Sequence, residues 1–172
     1  MCGRLDLRIQ DVDLARSLDG LKLQTLMPTP MQHIPILTDQ GLHRGLWSFP
    51  KRGGGLHIHA RIEEGRTTWA SAWNSRRGVV PVAGWWEDHW HVTGPDMFPA
   101  VLTSHGALGL RAVVVTQPPV PYARHIERPP IPLTNDGAAD WLGGYDPQDQ
   151  VSDLQVEDRP YKVHALPLFN QN

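Results

Sequence analysis

The chain has 172 residues, is 40% apolar, and carries a formal charge of −2 with an isoelectric point near 6.5. That size and composition exclude a disordered or low-complexity chain and predict one compact domain over residues 1–172 with a core of its own. No run approaches the roughly 18 apolar residues of a membrane span, and one cysteine in the sequence excludes an internal disulfide framework.

Taken in chain order, "DVDLARSLDG" reads as a short helix, with Asp11 as N-cap, Leu14 and Leu18 one turn apart, and Gly20 as a stop. "MPTPMQHIPILT" follows, where Pro28, Pro30 and Pro35 forbid helix and predict an extended segment ending in a strand. A second helix is expected over Thr67 to Arg77, with Trp69 and Trp73 on one face and Gly78 closing it. The runs "GVVPVAGWWE", "FPAVLTS" and "LGLRAVVVTQ" are β-branched or aromatic and bounded by Gly, Pro and polar residues, the pattern of strands. "NDGAADWLGG" predicts a last helix, capped by Thr134 or Asn135 and ended by Gly143. An acidic loop and a final strand, "YKVHALPLF", complete the chain. Sixteen Gly and sixteen Pro predict short strands and frequent turns. The expected fold is therefore α+β: a curved, mainly antiparallel, barrel-like sheet with a few flanking helices. The N-terminus has no basic region followed by an apolar one, so a cytoplasmic protein is expected.

Near-neutral net charge argues against a general nucleic-acid binder, but the charge is unevenly spread. Residues 1–80 hold eleven Lys/Arg against seven Asp/Glu, and residues 81–172 hold five against eleven. Arg4, Arg8, Arg44, Lys51, Arg52, Arg61, Arg66, Arg76 and Arg77 are the candidates for a basic surface in the first half. A solvated, mixed-charge surface is the alternative.

The single thiol stands at position 2. If Met1 is removed, Cys2 offers an α-amine with a pKa near ~7.7–8.0 beside a thiol near ~8.5. An unprotonated amine condenses with an aldehyde to an imine, and the neighbouring thiol closes on it to give a five-membered thiazolidine. Both nucleophiles lie on one residue, which removes the entropy cost of bringing them together. A chance cysteine near a start codon has the same appearance. Glu87 ends an otherwise apolar strand, where desolvation would raise its pKa toward a range useful for proton transfer; an exposed strand-end carboxylate in a simple ion pair is the alternative. The pairs His57/His59 and His89/His91 are spaced to share a strand face, yet no spacing matches a familiar closed zinc site, so no metal or cofactor is assigned. Trp69, Trp73 and Trp141 have core spacing. Trp85 and Trp86 alternate faces, leaving one to point outward, and Trp47 and Trp86 are the candidates to stack an unpaired base.

"MCGR" at the start, "HARIEE" at 59–64, "RRGVVPVAGWWE" at 76–87 and "HIERPPIPL" at 125–133 resemble, in order and spacing, the blocks of the SRAP (SOS response-associated peptidase) family. Their usual form there is close to M-C-G-R, N-A-R-x-E, R-R-C-x-x-P-x-x-G-[FW]-x-E-W and H-x-R-M-P. "MPTP" and "RGLWSFP" resemble two further segments. The resemblance implies a DNA-damage protein that binds single-stranded DNA at abasic sites and captures the ring-opened sugar as a thiazolidine DNA-protein crosslink. By position, Cys2 is the nucleophile, Glu87 the proton-handling carboxylate and His125 the general acid and base. Arg4 and Arg61 would grip backbone phosphates, and Arg128, the arginine of the H-x-R block, is a further DNA-binding residue. No cofactor is implied, the expected partner is abasic single-stranded DNA, a monomer is expected, and the cytoplasmic protein would associate with the nucleoid when bound to DNA.

Three positions depart from the family pattern. His59 replaces the asparagine of N-A-R-x-E. Ile126, not His125, stands two residues before Arg128, so a bulge must restore His125 to the site or its role passes to His59. Asp88 follows Glu87 where tryptophan is usual. Two other readings therefore stay open: an N-terminal-nucleophile peptidase or amidohydrolase, in which the Cys2 thiol attacks an amide carbonyl, and a divergent member that binds DNA without catalysis.

Overall fold

A computed structural model describes residues 3–51, 53–107, 109–121, 124, 126–148 and 150–159. The elements run β1 (Arg4–Asp6), α1 (Val12–Gly20), β2 (His33–Thr38), β3 (Gly41–Trp47), β4 (Phe49–Pro50), β5 (Leu56–His57), β6 (His59–Arg61), a 3-10 turn (Ile62–Glu64), α2 (Ala70–Ser75), β7 (Arg77–Val79), β8 (Val82–Glu87), β9 (Trp90–Gly106), β10 (Gly109–Thr116), β11 (Pro132–Leu133), α3 (Asn135–Leu142) and β12 (Gln155–Asp158). The architecture is α+β: one curved, mixed sheet with three flanking helices among the described residues. Its backbone path is β1-β8-β9-β7-β2-β3-β10-β6, and β9 also pairs with β10, which folds the sheet back on itself as a barrel-like core. Pairing is mainly antiparallel, with β10 parallel to both β3 and β6. No helix among the described residues is long and apolar enough to cross a membrane.

Alternation along the strands sorts side chains into two cores. On β10, Ala112 and Val114 point into the barrel with Leu5, Ile34, Ile36, Trp47, Trp85 and Ile126, while Val113 and Val115 point outward beneath α2 and α3. The outer core closes on Trp73 and Trp141, whose rings meet edge-on at 5.1 Å. Trp141 also donates its indole N–H to the Gly78 carbonyl at 2.9 Å, which satisfies a polar tip that burial would otherwise strand.

The capping expectations hold at both ends of the chain. Asp11 accepts from the Leu14 N–H at 2.7 Å, and the Thr134 hydroxyl accepts from the Gly137 N–H at 3.0 Å. Elsewhere the structure corrects the reading. The expected helix over 67–77 shrinks to Ala70–Ser75, because Arg77–Val79 is recruited as β7 against β9, so Gly78 is a strand residue and not a helix stop. Strand β9 is 17 residues long, not short; it bends at Gly94–Asp96, where Asp96 has φ +37°, and thereby serves both halves of the sheet. The acidic loop contains β12, paired with β9. The expected strand at 161–169 lies outside the described residues.

Candidate functional site

The start of the chain is held by three neighbours. Strand β1 pairs with β8 through Arg4 opposite Trp86 and Leu5 opposite Trp85. Gly3, the residue bonded to Cys2, donates its N–H to the Trp86 carbonyl at 2.9 Å. The other edge of β1 is covered by the proline-bearing segment, with Leu5 and Leu7 donating to the carbonyls of Pro28 and Leu26. Cys2 itself lies outside the described residues, as does His125.

Glu87 is the last residue of β8 and shares the barrel-facing side of that strand with Trp85. It is only 4% exposed, so it is not the exposed strand-end carboxylate of the alternative reading. After it, Asp88 and His89 make the turn into β9, and Asp88 adopts φ +49°. Aspartate tolerates that left-handed conformation better than tryptophan does, which gives the departure from the family pattern at this position a backbone reason. Gly84, three residues before Glu87, is itself fixed by the backbone: a Cβ there would sit 2.4 Å from the Val92 carbonyl oxygen.

His59 pairs in register with Val114 and so faces the same barrel interior. Its ring stands edge-on to Trp47 with centroids 6.2 Å apart. Ile126, at the place where the H-x-R spacing calls for histidine, is fully buried in that interior. Of the positions tied to proton chemistry, the described residues thus hold a buried carboxylate, Glu87, and an imidazole on the inner face, His59, while Ile126 in the expected histidine register is apolar.

The opposite face of β8 carries a cluster that sequence reasoning missed. Asp6 is buried there and chelated by Arg8, whose Nε and terminal nitrogen reach the two carboxylate oxygens at 2.8 and 2.5 Å. His91 Nε2 lies 3.6 Å from Asp6 Oδ2, and its ring stacks on Trp86 at 4.0 Å and 7°. Burial pushes the Asp6 carboxyl up, but the hydrogen bonds and charge of Arg8, with the His91 ring close by, outweigh it and hold the group well below the ordinary carboxylate range. Only "DLR" hinted at this, by placing Asp6 and Arg8 two apart; nothing local predicts His91.

Several site assignments change. Trp47 is fully buried with its indole N–H on the Ile58 carbonyl at 2.9 Å, and Trp86 is buried against His91, so both are packing residues and neither presents a free ring face for a base. Arg128 is committed to Glu63 at 2.5 Å, and burial of that carboxyl is outweighed by Arg128 and Arg61, which hold its pKa down. Arg77 is buried and structural: it donates to the carbonyls of Trp73, Trp141 and Tyr145 and lies 4.2 Å over the Trp141 ring. Arg8 and Arg66 are in ion pairs with Asp6 and Asp146. Arg4 is half-buried on β1, and Arg61 is exposed at the end of β6. Arg52 lies outside the described residues. The two histidine pairs do not share faces. His57 packs on Trp69 in the outer core while His59 meets Trp47 in the inner one; His89 sits in the turn while His91 is on β9. Among the described residues no cluster of three His, Cys, Asp or Glu is placed to hold a metal.

A cleft of about 510 Å³ opens on the outside, between the start of α1 and the bend of β9, and Asp6, Asp11, Asp96 and Asp153 line it. Its sign is wrong for a phosphate backbone.

No protein-family model and no curated protein matches the chain. Solved structures do match it in fold. A phage-related protein from Bordetella bronchiseptica superposes with a TM-score of 0.64 at 19% identity, over 85% of this chain and 84% of that one. A second protein from Bordetella bronchiseptica gives 0.71 at 14% identity, over 94% and 100%, and one from Bacteroides thetaiotaomicron gives 0.67 at 12%, over 90% of each. The chain is similar to all three in fold along most of its length.

Proposed function

We propose that this chain is a divergent SRAP-like protein that binds single-stranded DNA at abasic sites and captures the lesion through Cys2. The observation that carries the reading is the pairing of the chain start with β8, which ties Gly3 to the residue before the buried carboxylate of Glu87. In the proposed reaction the Cys2 amine adds to C1 of the ring-opened sugar, water leaves to give the imine, and the thiol adds across the C=N bond to close the thiazolidine. Glu87 accepts the proton released by the amine and returns it to the departing oxygen. A carboxylate withdrawn from bulk water exchanges protons with the bound sugar in preference to solvent. Arg61, exposed beside the inner-face strand end, and Arg4 on β1 are the proposed phosphate contacts. The chemistry requires a free α-amine on Cys2.

The test is a denaturing gel after incubation with single-stranded DNA bearing one abasic site. A heat-stable shifted band that disappears in Cys2→Ala and for undamaged DNA supports capture; hydrolysis of peptide or amide substrates without such a band supports the amidohydrolase alternative. A second reading is favoured by Ile126. With an apolar side chain buried at the histidine position, the chain would bind DNA without covalent capture, seen as salt-sensitive binding and no stable band.

A further inference from the structure

Strands β2, β3 and β10 contain no Asp or Glu, and all four of their charged or titratable side chains are Arg or His. Register sorts these onto faces. His33 stands opposite Leu46, Leu46 opposite Arg111, and Arg44 opposite Pro35, so His33, Leu46, Arg44 and Arg111 share the outer side of the sheet. Helices α2 and α3 pack on that side over β7 and β9. Arg44 is exposed, while His33, Leu46 and Arg111 are half-buried.

The two guanidiniums are held by neutral groups. Arg44 reaches His33 Nδ1 at 3.1 Å, and Arg111 reaches the Ser48 hydroxyl at 3.4 Å; neither pairs with a carboxylate among the described residues. By contrast Arg8, Arg16, Arg66, Arg128 and Arg159 each have one. Burial and the Arg44 charge lower the His33 pKa, consistent with a neutral imidazole accepting from Arg44. Arg44 lies two residues from Leu46 along β3 and Arg111 stands beside Leu46 on the adjoining strand β10, so the two cations border a half-buried apolar floor at Leu46.

The strip adjoins the segment that covers β1. The segment that covers β1 runs on through Met31, exposed and at φ +74°, whose N–H donates to the Trp47 carbonyl, directly into His33.

We infer that the outer face of β2-β3-β10, with Arg44 and Arg111 as its cations, is a second contact surface for the phosphodiester backbone of the same single strand. This rests on the DNA reading above and extends it to undamaged nucleotides flanking the lesion. On the DNA reading, the run of the β1-covering segment into this face favours nucleic acid over an acidic peptide.

The experiment is fluorescence anisotropy with undamaged oligothymidylates of about 6 nucleotides, enough for the candidate site, and about 20, enough for site and strip. Arg44→Ala/Arg111→Ala should weaken the long oligonucleotide roughly tenfold, lower its salt slope by about 1.4 for two lost contacts, and leave the short one unchanged. The double lysine variant should restore the slope, and Arg44→Glu, at an exposed position, should act in the same direction if Arg111 variants fail to fold. If the wild type binds and crosslinks short abasic DNA but the double variant keeps wild-type affinity and slope on the long strand, the inference falls alone. If the wild type binds no oligonucleotide, the DNA reading falls and takes the strip with it. Polyglutamate competing as well as oligothymidylate of equal charge would assign the face to an acidic peptide and overturn it.

Discussion

Glu87, Asp6 and Arg77 are three buried ionisable side chains with three different jobs. Glu87 faces the barrel interior at the end of β8, and Glu87→Gln keeps its shape while removing its proton chemistry. Capture rates should fall by about 10²- to 10⁴-fold, read by single-turnover gels, with DNA affinity unchanged. Asp6 is held below the ordinary carboxylate range by Arg8 and His91. The sign follows: the unfolded chain takes up this proton near pH 4 while the folded one does not, so the stabilisation is present above that pH and lost as pH falls. Urea midpoints of the wild type should drop between pH 5 and pH 3 more than those of Asp6→Asn, with a difference in slope of at most about 1.4 kcal/mol per pH unit. Equal pH dependence would contradict the assignment. Arg77→Met leaves the carbonyls of Trp73, Trp141 and Tyr145 without their donor. It should cost about 3 kcal/mol in urea unfolding. At this scale the sequence shows that Glu87 sits in apolar company, because its own strand supplies that company. The burial of Trp47 and the Trp86–His91 stack come from partners far along the chain, and no local pattern carries them.

The β8–β9 hairpin and strand β1 are the elements that make a site. Asp88 at φ +49° sets the turn that follows Glu87. Asp88→Gly should leave the thermal midpoint unchanged or raise it slightly, whereas Asp88→Val, β-branched in a left-handed conformation, should destabilise by about 1–2 kcal/mol. Opposite results would mean that the side chain, not the backbone, matters there. Helices α1 and α3 are legible in sequence because their caps are local chemistry, Asp11 and Thr134 on their own N–H groups. Helix α2 is overestimated because the tertiary pairing of Arg77–Val79 with β9 competes with helical periodicity and wins. The length of β9 is hidden by Pro95 and Pro99, which read as breaks but fall at its bend and beside β11. The histidine pairs mislead for a related reason: Ile58 falls between β5 and β6, and the alternation assumed across it is lost.

Over the whole molecule the fold class follows from composition and turn frequency, and the charge asymmetry points to the first half of the chain. Folding spends much of that basic charge on structure. Arg8, Arg66 and Arg77 are tied to carboxylates or carbonyls, Arg61 at the end of β6 acts on the Glu63 carboxyl, and Arg44, like Arg111 of the second half, stands on the outer face of the sheet without a carboxylate partner among the described residues. The basic charge left over is therefore local, not a broad positive field. The most direct test of the central claim is the intact mass of the protein after reaction with an abasic oligonucleotide. The account predicts a protein lacking Met1 and an adduct equal to protein plus oligonucleotide less one water, absent in Cys2→Ala. A protein that retains Met1, or an adduct of the same mass in Cys2→Ala, would contradict it.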